Sequence, residues 1–254
     1  MNILITNDDG INSEGIYALA KEFIKEGSII VSAPDRQRSA CSHSITMGRP
    51  LFAKRKSFFD LDCSAYAISG TPVDCVKLAY ERFSDGKIDA VISGINDGEN
   101  LGTDVLYSGT VSAAIEGALL GIPSIAVSLL RGDCKRDYSA AAHCARGIFK
   151  KFISQKFNPD ILLNVNVPSC DEKNIKGFLA TTLGTMKYTN NYQEEKDADG
   201  NTYFLLAGEV VKVENGRSTD IFAAQNNYVS ITPMHFELTR FDYLQKIKEW
   251  DMHF

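Results

Sequence analysis

The sequence predicts an α/β fold, a doubly wound, mainly parallel, Rossmann-like sheet with a C-terminal β-hairpin and helical arm. Three observations predict it. Short apolar, β-branched runs alternate with helical patterns as far as about Gly177. The spacing between successive runs is that of strand–helix–strand units, which demand a parallel sheet covered on both faces. Capping residues, Pro and Gly fall at the breaks between the two periodicities.

Asn2 to Thr6 is the first strand, and Ser13 then precedes Ile16, Leu19, Ala20, Phe23 and Ile24 at helical spacing until Gly27 ends the pattern. Ser28 to Ala33 is a second strand stopped by Pro34, and the stretch from Asp35 to Gly48 is polar and aperiodic, a long loop. Pro50 to Ser69 accommodates two short strands. Thr71 caps, and Pro72 opens, a helix running to about Phe83. Ile88 to Ser93 is a buried strand, followed by a Gly- and Asn-rich loop from Gly94 to Gly109 and a small-residue helix from Val111 to Leu120. Ala113, Ala114, Gly117 and Ala118 suit close helix-to-sheet packing. Ser124 to Leu129 is a strand, Tyr138 to Gln155 a helix and Ile161 to Val167 a strand.

Beyond Gly177 the alternation fails. Thr202 to Val213 and Tyr228 to Thr232 read as strands, Asn215-Gly216 as a turn, and Phe236 to Trp250 as partly helical. Asn190 to Asn201, rich in Asn, Glu and Asp, is the expected mobile loop. With no internal repeat or low-complexity linker, residues 1–254 are expected to form one domain, a core over about 1–180 and an arm over about 181–254.

Charge and composition exclude several functions. Against 32 Asp plus Glu stand 27 Lys plus Arg, a formal charge of -5, so there is no basic surplus to grip polymeric nucleic acid. Apolar runs such as Ile122 to Leu130 fall short of the roughly 20 residues a membrane helix needs. The first residues lack a basic start and turn acidic at Asp8, unlike a secretory signal, so a cytoplasmic location is expected. The six cysteines, at 41, 63, 75, 134, 144 and 170, include no Cys-x-x-Cys pair, which disfavours a zinc ribbon or dithiol centre and leaves reduced structural thiols.

In an open parallel sheet, ligands gather outside the carboxyl ends of the strands, so three loops carry the chemistry. Asn7-Asp8-Asp9-Gly10 ends the first strand. Adjacent carboxylates repel and point to opposite faces in extended chain; a turn at Gly10 can converge them, and a cation would relieve the repulsion. An isolated Asp-Asp-Gly more often merely starts a loop or caps a helix, but position at the first strand end favours a site. The second loop, Arg36 to Ser44, offers cationic, hydroxyl and small residues, with His43 either a phosphate contact or acid, or a solvent-facing side chain. The third, Ser93 to Gly102, leads into Tyr107-Ser108-Gly109-Thr110 and a helix, whose free N–H groups make a phosphate cradle of Ser108 to Thr110 or a routine cap. Carboxylates, an amide oxygen and hydroxyls suit hard cations such as Mg²⁺, Mn²⁺ or Ca²⁺ better than Zn²⁺. Neither a Gly-x-x-x-x-Gly-Lys-Ser/Thr loop nor Gly-x-Gly-x-x-Gly occurs.

Six stretches in order resemble the SurE (survival protein E) family of nucleotidases: Ile3 to Gly10; Ala33 to Ser39; Gly70 to Val76; Ser93 to Asn96 with Asn100-Leu101-Gly102; Tyr107 to Val111; and Tyr228 to Pro233. The resemblance spans nearly the whole chain. It implies a divalent-metal-dependent phosphatase acting on nucleoside 5′- and 3′-monophosphates, and in some members also on short polyphosphate, in the bacterial cytoplasm. By the same resemblance, Asp8, Asp9, Ser39 and Asn96 hold one Mg²⁺ or Mn²⁺ per subunit, with Asp8, Asp9 and Asn96 catalytic through that ion. Ser108, Gly109 and Thr110, with His43 nearby, take the phosphate. Homodimers or homotetramers exchanging the C-terminal arm are implied too. Three positions depart from the family pattern: Ala40 where glycine is common, Glu237 where Asp is expected, and an acidic stretch from Glu194 to Gly200 without the expected arginine.

Three other readings compete. An aspartyl-phosphate enzyme of the haloacid-dehalogenase type would carry Asp-x-Asp, and this chain has Asp-Asp. A zinc-dependent deacetylase would carry His-Pro-Asp-Asp, whereas Thr6 and Asn7 stand here. A non-catalytic nucleotide sensor would use the same loops without turnover.

Overall fold

The computed structural model describes residues 1–252 except 133–135, 156–157, 159, 171 and 190; Cys134 and Asn190 therefore lie outside the described residues. The first part runs β1 (Asn2–Thr6), α1 (Glu14–Phe23), β2 (Ser28–Pro34), β3 (Ala53–Phe58), β4 (Leu61–Ile68), α2 (Pro72–Leu78), β5 (Ala90–Asp97), α3 (Gly109–Leu119), β6 (Ser124–Leu129), α4 (Tyr138–Ser154) and β7 (Leu162–Val167). After it come β8 (Phe178–Ala180), β9 (Lys187–Tyr188), β10 (Tyr192–Lys196), β11 (Thr202–Leu206), β12 (Val210–Val211), α5 (Asp220–Gln225), β13 (Val229–Met234) and α6 (Phe241–Lys248).

One mixed sheet orders the strands β3-β4-β2-β1-β5-β6-β7-β13-β8. The six strands from β4 to β7 are parallel, while β3 at one side and β13 at the other run antiparallel to their inner neighbours. The expected α/β architecture is therefore present. Alternation along β1 explains its two covered faces. Ile3 and Ile5 pack with Ile16, Leu19 and Phe23 of α1 and Phe149 of α4, whereas Leu4 packs with Val76 of α2 and Ala113 of α3. Phe23 and Phe149 are fully buried, and a side chain of that size contributes about 1.5–3 kcal/mol of burial.

Two glycines let helices lie close on the sheet. A Cβ on Gly15 of α1 would meet the Ile95 carbonyl at 2.2 Å, and one on Gly117 of α3 would meet Val91 Cγ2 at 2.8 Å. The start of α2 is the predicted one: Thr71 Oγ1 accepts from the Asp74 N–H at 3.1 Å and Asp74 Oδ2 accepts from the Thr71 N–H at 2.8 Å. Beyond Leu78 the coil widens to a π-helical turn over Ala79–Phe83.

Several expectations need correction. The Asn190 to Asn201 loop expected to be mobile is half strand: Tyr192–Lys196 pairs antiparallel with Thr202–Leu206. Cross-strand hydrogen bonding orders this polar segment without burying it, and Asp197 closes the turn by accepting from the N–H groups of Asp199 and Asn201. The long strand expected over Thr202 to Val213 breaks after Leu206, and Val210–Val211 pairs instead with Lys187–Tyr188. α5 has no counterpart in the sequence reading, being a short helix capped by Thr219. The helix expected from Val111 starts at Gly109, because Ser108 Oγ accepts from the Val111 N–H at 3.0 Å. Among the described residues no helix is long and apolar enough to cross a membrane.

Candidate functional site

The chain passes from β1 outward to β2 and β4, then returns to start the other half of the sheet at β5. The strand order reverses between β1 and β5, and the carboxyl ends of the strands at such a reversal are where open α/β sheets bind ligands. The loops after β1, β2 and β5 and the start of α3 converge on that point.

After β1, Asn7 folds the chain back on itself. Its amide donates to the Gly10 carbonyl at 3.1 Å and to Ser13 Oγ at 2.8 Å, and accepts from the Gly10 N–H at 3.2 Å. Gly10 sits at φ +96, which only glycine adopts without strain. This turn brings both acids to the mouth of the sheet. Asp8 is 4% exposed, with Oδ1 accepting from Thr110 Oγ1 at 2.5 Å and its carbonyl accepting from the Arg38 N–H at 2.7 Å. Asp9 is half-buried, with Oδ2 accepting from the Asp97 N–H at 3.0 Å.

The loop after β2 reaches the same place. The Gln37 amide donates to Ser39 Oγ at 2.9 Å and toward Asp9 Oδ1 at 3.4 Å, so Ser39 stands beside Asp9. Ala40 has φ +53, a left-handed conformation that costs a residue with a Cβ about 1–2 kcal/mol and explains why glycine suits this position. From β5, Asn96 spends its Nδ2 on the Gly98 carbonyl at 2.8 Å, which leaves its amide oxygen as the free acceptor. Gly109 makes room at the start of α3: a Cβ there would lie 2.9 Å from Asp8 Cβ and 3.1 Å from Asp8 Oδ2.

Asp8, Asp9, Ser39, Gly109 and Thr110 are thus brought together, and Asn96 and Ser108 are the chain neighbours of Asp97 and Gly109, which touch the two acids. His43 is directed elsewhere. Its Nε2 lies 2.9 Å from Glu116 Oε2, about two helical turns along α3 from Gly109, and Lys77 Nζ lies 3.0 Å from Glu116 Oε1. Burial opposes the Glu116 carboxylate, but the hydrogen bonds and charges of His43 and Lys77 hold its pKa below the ordinary value. His43 therefore braces the loop against the flank of α3.

The electrostatics invite a cation. Burial raises the Asp8 pKa from 3.8 to about 6, with repulsion from Asp9 adding to it and the Thr110 hydrogen bond opposing it. Burial also raises Asp9. Among the described residues no Lys or Arg forms an ion pair with either acid, and no cluster of three or more His, Cys, Asp or Glu side chains suits a metal. The sequence-named donors are oxygens, namely two carboxylates, the Ser39 hydroxyl and the Asn96 amide oxygen, with the Cys41 thiol also close to Asp8 across Gly109. Such a set fits a hard divalent cation.

A pH prediction arises from Asp8. Its carboxyl ionises near 3.8 when unfolded and near 6 when folded, so the folded state binds more protons between those values. Metal-free protein should hold the full Asp8 contribution below about pH 4 and lose it, on the order of 3 kcal/mol, as pH rises through about 6. Melting temperatures in chelator across this window should fall more steeply for the wild type than for Asp8→Asn; parallel curves would contradict the burial argument.

Sequence reading missed the supports behind these groups. Asn100 donates its N–H to Asn166 Oδ1 at 2.9 Å and its Nδ2 to Ser128 Oγ at 2.8 Å, while its carbonyl accepts from Asn164 and Asn166. The signal was present in Leu162–Val167, where two asparagines two apart interrupt a buried strand on one face. Asp220, fully buried, accepts from the N–H groups of Gly102 and Gly184 at 2.8 Å each, and Arg136 pairs with Asp97 at 2.6 Å. No local pattern announces either contact, because the partners are remote in sequence.

Comparison with known proteins follows the same outline. The family described as Survival protein SurE matches residues 3–190. The chain is 47% identical over 250 residues to 5′-nucleotidase SurE of Heliobacterium modesticaldum, covering 98% of this chain and 92% of that protein. It is 46% identical to 5′-nucleotidase SurE of Carboxydothermus hydrogenoformans, covering 98% and 96%. The crystal structure of the SurE protein from Aquifex aeolicus superposes with a TM-score of 0.83 at 38% identity, covering 98% of each chain.

Proposed function

This chain belongs to the SurE family, and from that premise we propose that it is a 5′-nucleotidase, a divalent-metal-dependent phosphomonoester hydrolase releasing phosphate from nucleoside 5′-monophosphates. Nucleoside 3′-monophosphates and short polyphosphate complete the proposed substrate range. The observation that carries the reading is the buried Asp8 carboxylate, held without a cationic partner among the described residues between Asp9 and the first turn of α3.

Asp8, Asp9, Ser39 and Asn96 would hold one Mg²⁺ or Mn²⁺. When bound, the ion supplies charge neutralisation and Lewis-acid polarisation of the phosphoryl oxygens. The chain's own residues account for the rest. Thr110 Oγ1, donating to Asp8 Oδ1, orients that carboxylate, and the Asp97 N–H does the same for Asp9. Ser108 Oγ uses the Val111 N–H as its capping partner, so the first turn of α3 is preformed and directs its N–H groups and positive dipole end at an incoming phosphate. Donors preset at this end stabilise charge on the equatorial oxygens without reorganising during transfer.

The proposal extends to assembly and location. Tyr192, Phe204 and Leu206 of the β10–β11 hairpin and Phe241, Ile247 and Trp250 in and after α6 are exposed apolar groups, which supports a homodimer or homotetramer exchanging this arm, one domain per chain. A cytoplasmic setting suits soluble nucleotide substrates.

Phosphate release from AMP tests the reading. Activity with Mn²⁺ or Mg²⁺ should vanish after exhaustive chelation and return on adding either ion. Turnover that survives chelation would defeat the metal assignment, and tight AMP binding with no release would identify a sensor instead.

A further inference from the structure

Directly before the phosphate turn, the chain builds a cavity with aromatic walls. The 3₁₀ turn Gly102–Leu106 and Tyr107 form one side, and Met186, Lys187 and Tyr188 of the β9 segment form the other, enclosing about 350 Å³. The two walls are fastened. Thr103 Oγ1 donates to the Met186 carbonyl at 2.9 Å and accepts from the Met186 N–H at 3.2 Å, and the Tyr188 hydroxyl donates to Asp104 Oδ2. The Tyr107 side is anchored to the metal-site loop as well, its carbonyl accepting from the Ser42 N–H at 3.1 Å.

We propose that this cavity is the nucleobase subsite, with Tyr107 and Tyr188 as the aromatic surfaces and Asp104 as an acceptor for a base N–H or amino group. The inference rests on the nucleotidase reading above and adds to it the residues that select the leaving group. Tyr107 is 64% exposed, so its ring is open to a ligand, and the adjoining residue is Ser108, the cap of the phosphate-facing helix. Adjacent Cα atoms are about 3.8 Å apart, so the Tyr107 backbone directly adjoins the turn where the phosphate would be held. Volumes of a few hundred Å³ suit a small planar ligand, and stacking is tolerant of which base is presented. A carboxylate at the rim favours bases carrying a donor and repels a second phosphate. A neighbouring cavity of about 330 Å³ is walled by Glu99, Arg131 and Val211 without an aromatic ring among its lining residues.

The experiment compares kcat/KM for AMP with kcat/KM for ribose 5-phosphate, which lacks the base, in the metal-loaded wild type, Tyr107→Ala and Tyr107→Phe. The ratio cancels any loss of folded enzyme. Tyr107→Ala should lower the AMP preference by about tenfold or more, the size expected for one lost stacking surface, and Tyr107→Phe should restore it. An unchanged ratio in Tyr107→Ala, with wild-type AMP turnover intact, overturns the subsite and leaves the nucleotidase reading standing. Wild-type protein that releases phosphate from neither compound overturns both.

Discussion

Asp8→Asn and Asp9→Asn should each cut metal-dependent phosphate release from AMP by about 10³-fold, with cooperative melting retained. Either substitution keeps the side-chain shape and one oxygen while removing a charge from the only adjacent acid pair at the mouth of β1. At position 8 the two readouts should move in opposite directions. The ionised Asp8 carboxylate is a burden to the metal-free fold, because burial and Asp9 both disfavour its charge. Asp8→Asn should therefore raise the melting temperature in chelator at pH 7.5, and it should abolish the further rise that Mn²⁺ produces in the wild type through binding to the native state. Loss of activity together with loss of stability would mean that Asp8 is structural. Near-normal turnover in both variants would remove the carboxylates from the chemistry.

Gly109→Ala should lower kcat/KM for AMP by about 10²-fold while leaving the helix formed, since alanine is a better helix former than glycine. The added methyl would lie 2.9 Å from both Asp8 Cβ and Cys41 Sγ, closer than such contacts allow, so either Asp8 or the 38–43 loop must shift. Displacement of about an ångström is enough to spoil a preset site. The discriminating control is Cys41→Ala combined with Gly109→Ala. Partial recovery of activity would locate the crowding at the thiol, and none would locate it at Asp8. Full activity in the single variant would show that the space beside Asp8 is not needed. Circular dichroism melts of both variants check that the fold persists.

Much of the site is legible in the sequence. Asp8, Asp9, Asn96 and Ser108 to Thr110 lie within a few residues of a strand end or a helix start, and those boundaries are written in local patterns: β-branched runs, caps, Pro and Gly. His43 illustrates the opposite case. Its loop was placed correctly, but the direction of its ring depends on Glu116, 73 residues away, whose buried carboxylate is served by His43 and Lys77 together. Gln37, which ties Ser39 to Asp9, gave no signal because a surface glutamine in a polar loop is unremarkable. The expected C-terminal hairpin and helix are present, but the first hairpin strand is not legible in the sequence: Tyr192–Lys196 is exposed throughout, so it has no buried face to imprint a period.

Local sequence alone determined the alternation of strands and helices, the turn that carries the two acids, and the capped helix that follows the third loop, since each arises from steric and hydrogen-bonding preferences spanning at most a few residues. Tertiary structure alone decided which oxygens face one another, how deeply Asp8 is buried, and that Asn100 and Asp220 brace the loops from strands and helices far along the chain. Desolvation and long-range hydrogen bonds depend on which segments pack together, and that information exists only once the sheet has brought its distant loops to one edge.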